Sequence, residues 1–64
     1  MKRIKFIQYL NNNGCGFVRH GAKHDKYMNH TNGKRTLIPR HAEIDNDLCA
    51  LICKQLDIPK PTMS

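Results

Sequence analysis

Sixty-four residues suffice for one small domain with a thin core, and leave no room for a deep pocket between lobes. Hydrophobic residues make up 39% of the chain, enough for it to fold. Eleven Lys and Arg against five Asp and Glu give a net charge of +6, which favours a polyanionic partner and argues against cationic substrates.

Ile4, Phe6, Ile7 and Leu10 gather on one side of a helical wheel, opposite Lys2, Lys5 and Gln8, which predicts an amphipathic first helix. Lys2, Arg3 and Lys5 read as its solvated face. No capping side chain precedes it, so its start is expected to fray. Asn11-Asn12-Asn13-Gly14 ends it, with Gly14 as the left-handed residue. Cys15 to His20 reads as a short strand, with His20 alternating with Val18 on one face, and Gly21 breaks it. Lys23 to His30 is a second strand with Tyr27 turned inward. Thr31-Asn32-Gly33-Lys34 carries the Asn-Gly hairpin signal, Arg35 to Ile38 returns as a third strand, and Pro39 closes it.

Asp45 or Asn46 can cap a last helix, with Asp47 in its first turn. Leu48, Cys49, Ile52, Cys53 and Leu56 form its apolar stripe, with Leu51 off the stripe, and the helix runs through Ile58. The order is α-β-β-β-α, an α+β fold with both helices on one face of a three-stranded antiparallel sheet. Residues 1–58 form one domain and 59–64 a flexible tail. The expected core is Ile4, Ile7, Leu10, Phe17, Leu37, Ile52 and Leu56.

Three cysteines without the spacing of a disulfide framework point to free thiols in a reducing cytoplasm. No CxxC pair exists, and Cys49 and Cys53 read as small buried hydrophobes, not as zinc ligands. No apolar run is long enough to span a membrane, and no secretory signal follows the first charges of the chain.

The densest polar stretch runs from Arg19 to Tyr27, with His20, Lys23, His24 and Lys26 around a turn. A histidine can take and give protons near neutral pH, and neighbouring cations can hold a phosphate. RNA cleavage needs little more. A base removes the 2′-hydroxyl proton, that oxygen attacks the adjacent phosphorus, and no metal is required. The bland reading is a solvated basic surface, with His20 on a strand face, His30 beside a hairpin and His41 in solvent or on a phosphate. Lys23, Lys26, Arg35 and Arg40 are the leading candidates for phosphate contacts, followed by Arg19, His41 and Tyr27.

The run from Gly14 to Tyr27, the run from Asn32 to His41, and Glu43, Ile44, Leu48, Ile52, Lys54, Leu56 and Ile58 together resemble the HicA toxins, also called the YcfA-like family, of bacterial toxin–antitoxin pairs. The resemblance covers the chain from Ile4 to Ile58. It implies a fold like double-stranded-RNA-binding domains. It implies the toxin of a type II toxin–antitoxin system, an endoribonuclease that cleaves mRNA without the ribosome or a cofactor. It implies a HicB-type antitoxin as partner, and His24 is the residue that matches the family's catalytic histidine. The free toxin is expected to be a monomer. The general acid stays open among His41, Tyr27 and Lys23. Ala22-Lys23 replaces the Gly-Ser often found before that histidine, Asp25 replaces a second histidine, and Asp57 replaces a glycine after the last helix. Asp25 follows His24 directly, so the two should point to opposite faces and not pair. The alternative is a non-catalytic RNA-binding module of the same fold; a third reading is a basic surface that docks an acidic partner protein.

Overall fold

The computed structural model describes residues 1–61. Helix α1 spans Arg3–Asn12, strand β1 Cys15–His20, β2 His24–Asn29, β3 Arg35–Pro39, and helix α2 Asn46–Leu56. The strands form one antiparallel sheet in the order β1-β2-β3, so the expected α-β-β-β-α fold is present. Gly14 and Gly33 both take the left-handed conformation that ends α1 and the second hairpin loop.

The strand register decides the two faces of the sheet. Phe17 stands opposite Tyr27, His20 opposite Asp25, Asp25 opposite Ile38, and Tyr27 opposite Thr36. These residues share a face, because directly opposed side chains project the same way. Phe6 and Leu10 of α1 and Cys49, Ile52, Cys53 and Leu56 of α2 pack into a single core with Cys15, Tyr27 and Ile38 of the sheet. Both helices therefore cover that same face. Arg19, Lys26 and Leu37 are in register on the other face, which no helix or strand among the described residues covers.

Of the expected core, Ile7 is only half-buried against it, and three residues lie outside it, each for a geometric reason. Ile4 is 66% exposed because the buried stripe is centred on Phe6 and Leu10. Ile4 lies about 120° round the helix from Leu10. Leu37 is exposed because Thr36 and Ile38, its neighbours on β3, point inward. Phe17 faces the helices but stays half-exposed at the uncovered edge strand β1, edge-on to Tyr27. Ile38, Ile44 and Cys15 take their places in the core. Leu51 is exposed, as its place off the stripe requires.

The start of α1 is bonded to the segment before α2. Lys2 is extended and bridges to Glu43, with Arg3 N donating to Ala42 O at 2.9 Å and Ile44 N to Met1 O at 2.8 Å. A backbone bridge thus supplies the support that a capping side chain would give. Asp45 is the N-cap of α2 but makes no side-chain cap hydrogen bond. The other end of α2 closes as a Schellman turn, Ile58 N to Cys53 O at 3.0 Å and Asp57 N to Lys54 O at 3.1 Å. The free carbonyl of Leu56 accepts from Asn29 Nδ2 at 2.9 Å and Asn32 Nδ2 at 3.1 Å. The loop between β2 and β3 is thereby tied to the helix end, and the buried Asn29 is satisfied. Of the residues after 58, Pro59 O accepts from the Tyr9 hydroxyl and Pro61 is buried, while 62–64 lie outside the described residues.

The Schellman turn requires a left-handed residue, and Asp57 supplies it at φ 59° and ψ 47°. The glycine geometry of this helix end is kept without the glycine, at the cost of backbone strain and of an acid near the negative end of the helix. Its ion pair with Lys34, at 3.8 Å between exposed side chains, offsets little of this. Asp57→Gly should therefore stabilise the domain by about 1 kcal/mol, raising Tm by about 4–8 °C. A Tm that falls would show that the left-handed aspartate is not strained.

Candidate active site on the first hairpin

His24 is the first residue of β2 and is exposed. It follows a tight turn in which Gly21 N donates to His24 O at 2.7 Å, leaving Ala22 and Lys23 at the tip. A side chain on Gly21 would meet His24 O at 2.7 Å, so the turn needs a glycine there. Alternation along β2 places His24 on the open face together with Lys26 and Met28. Val18, Arg19, Lys26, Met28 and Arg35 line a shallow groove of about 300 Å³ on that face.

A β-bulge puts Arg19 there. The register slips between Phe17 and Arg19, so Arg19 pairs with Lys26 and His20 with Asp25. Simple alternation would have kept Val18 and His20 on one face, as expected from the sequence. The bulge instead sends Arg19 to the open face and His20 to the side of the helices.

On that side lies Asp25, only 6% exposed. Its Oδ1 accepts from Arg40 Nε at 2.9 Å and lies 2.8 Å from His20 Nδ1, and its Oδ2 accepts from Arg3 Nη2 at 2.9 Å. The hydrogen bond from His20 holds the Asp25 carboxyl below its ordinary range, with the hydrogen bond and charge of Arg40 adding to it against the opposing effect of burial. Arg3 also donates from Nε to Pro39 O at 2.9 Å. The expectation that Arg3 is a solvated helix residue is thus corrected: its guanidinium ties α1 to β2 and to the end of β3. Asp25 does pair with a histidine, but with His20 across the strands, not with its neighbour His24.

Of the residues read as phosphate contacts, Lys26, Arg35 and Arg19 line the open groove and Lys23 is exposed at the turn tip. His41 is exposed beyond the end of β3. Arg40 is engaged with Asp25 and with the carbonyls of the turn. Tyr27 does not fit a nucleic-acid contact: it is buried under the helices, and its ring belongs to the core. The roles of Arg3 and His20 were missed because their partner is distant in sequence or hidden by the bulge. One signal was present. Asp25 has the same parity as Tyr27, so an inward Tyr27 implies an inward carboxylate in need of cations.

Cys15, Cys49 and Cys53 are free and buried. Burial first, then the neighbouring Cys49 and Cys15, push the Cys53 thiol up to about 11. Such a thiol is neutral at physiological pH and packs as an apolar group. Among the described residues, no group of His, Cys, Asp and Glu is placed to hold a metal ion, and no helix is long and apolar enough to cross a membrane.

Residues 5–58 match the family model described as HicA toxin of bacterial toxin-antitoxin. No curated protein and no solved structure matches the chain.

The Asp25 cluster gives stability a defined pH dependence. Its folded pKa lies below its unfolded value of about 3.9. Its contribution is therefore complete above that value and is lost as pH falls through the folded pKa. Thermal melting at stepwise pH should show wild type losing more stability than Asp25→Asn below about pH 4, so that the gap between them narrows. A gap that stays constant from neutral to strongly acid pH would show that the charge on Asp25 does not contribute.

Proposed function

The chain belongs to the HicA family of toxins from bacterial toxin–antitoxin systems, and on that premise we propose that it is an endoribonuclease that cleaves messenger RNA with His24 as its catalytic residue. The observation that carries this reading is the place of His24. It is exposed, held at a tight hairpin turn, and on the same open face as Arg19, Lys26 and Arg35. A neutral imidazole there removes the proton of a 2′-hydroxyl. The 2′-oxygen attacks the adjacent phosphorus, the bond to the 5′-oxygen breaks, and that oxygen leaves with a proton from a general acid. Lys23 or Lys26 offsets the charge that develops on the phosphorane oxygens, without a metal ion. The groove cations hold flanking phosphates. His41 and Lys23 remain the candidate general acids; the buried Tyr27 is withdrawn.

A HicB-type antitoxin neutralises the toxin in this proposal, and the free toxin acts as a monomer in the cytoplasm, where its mRNA substrate is. The open basic face suits either an RNA strand or an acidic surface of the antitoxin.

His24→Ala removes an exposed side chain, so it should keep the fold and lower cleavage by about 10²–10⁴-fold. Products should carry a 2′,3′-cyclic phosphate, and an all-2′-deoxy strand should stay intact. Full activity in folded His24→Ala overturns the assignment. Binding without cleavage by wild type favours the non-catalytic module.

RNA affinity should fall steeply with salt. Neutralising Lys26 or Arg35 should each make that dependence shallower by about one counter-ion. The same change at Lys2 or Lys5 on α1 should leave the slope as it is. Equal effects from both faces would move the RNA away from the open sheet.

A further inference from the structure

Building on the reading of His24 as the catalytic histidine, we infer that Arg40 is a positioning residue that sets the His24 turn against the buried Asp25, and is not a phosphate ligand. The turn itself is weakly supported. Its own closure is the one hydrogen bond from Gly21 N to His24 O, and Ala22 and Lys23 are exposed. Arg40 follows Pro39, the residue that stands opposite His24 across the sheet. Its guanidinium reaches back over the turn. Nη2 donates to Gly21 O at 2.5 Å and lies 3.4 Å from His24 O, and Nη1 donates to Ala22 O at 3.3 Å. Its Nε donates to Asp25 Oδ1 at 2.9 Å.

One rigid planar group therefore links the carbonyls of Gly21, Ala22 and His24 to a buried carboxylate on the same strand as His24. The anchor is itself fixed. Asp25 is held by Arg3 and His20 as well, and Arg3 also holds Pro39 O. The carboxylate end of the Arg40 clamp, and the end of β3 from which Arg40 departs, are thus both tied to α1. A guanidinium has five N–H donors in a fixed fork. With Nε, Nη1 and Nη2 all directed at protein oxygens, little remains for bidentate grip on a phosphate. Lysine would keep the charge but not the fork.

The test is Arg40→Lys beside wild type and His24→Ala. Cleavage is followed in single turnover at saturating RNA, affinity and its salt slope with a 2′-O-methyl RNA that cannot be cut, and the turn by amide exchange at Gly21. Arg40→Lys should cleave about 10²-fold more slowly, as expected when a reacting group is misplaced. Affinity and salt slope should stay at wild-type values, and the Gly21 amide should exchange faster. A saturated rate equal to wild type with weaker binding would make Arg40 a phosphate ligand and overturn the inference; Arg40→Gln, which loses the charge, would then also bind with a salt slope shallower by about one. Unchanged cleavage with unchanged Gly21 exchange would overturn the inference too. If wild type cuts no RNA, the ribonuclease reading fails, and Gly21 exchange alone decides whether Arg40 holds the turn. Should Arg40→Lys melt near the assay temperature, Arg40→Gln replaces it in the same measurements.

Discussion

A carboxylate taken out of water has to be met by cations and hydrogen-bond donors, wherever in the chain these lie. Asp25 is such a group, and its partners come from three other parts of the fold. Arg3 belongs to α1, His20 to β1 and Arg40 to the segment after β3. Satisfying one buried acid therefore fixes the end of the sheet where β1 ends, β2 begins and β3 ends. It also fixes the hairpin turn before β2, because Arg40 bonds that turn and Asp25 at once. Structure and proposed chemistry meet in this cluster: the residue that must be buried and paired sits directly after the histidine that must be exposed.

Strand alternation makes that division possible. His24 and Asp25 are neighbours on β2 and so face opposite sides of the sheet. The bulge at Val18 repeats the division on β1, sending Arg19 to the open face and His20 to Asp25. Had β1 kept a regular register, the open groove would lose Arg19 and Asp25 would lose His20. One inserted residue thus serves both faces, as bulges beside functional sites commonly do.

The opposite end of the domain is held by amide groups instead of charge. Asn29 and Asn32 of the β2–β3 loop satisfy the last carbonyl of α2. Asp57 in the left-handed conformation then turns the chain back, so that Ile58 packs against the core. The three thiols lie in that core as neutral apolar groups. The helix layer therefore closes the core on one side, and the exposed His24, Lys23 and groove cations lie on the first hairpin and the open face.

Order and kind of the elements were legible in the sequence because they depend on local rules: helical spacing in α1 and α2, glycine at the left-handed positions 14 and 33, proline at the close of β3. The groove cations Lys26, Arg35 and the turn residue Lys23 were legible as well, since a basic strand face and a glycine-broken turn leave such side chains in solvent. The resemblance to the family supplied His24, and the match over residues 5–58 agrees with that family. Other features were not legible. Leu37 and Ile38 are both apolar, and only the pairing with Asp25 and Lys26 chose Ile38 for the core. Ile4 looked like part of the buried stripe until packing centred it on Phe6 and Leu10. The parity of Asp25 hinted at burial, but its hydrogen-bond partners stand 22, 5 and 15 residues away. No local pattern pairs such groups. The sequence by itself determined which elements form and that the chain is basic. The tertiary structure decided which face each residue takes, because strand register, a bulge and a buried charge are settled only when distant segments meet.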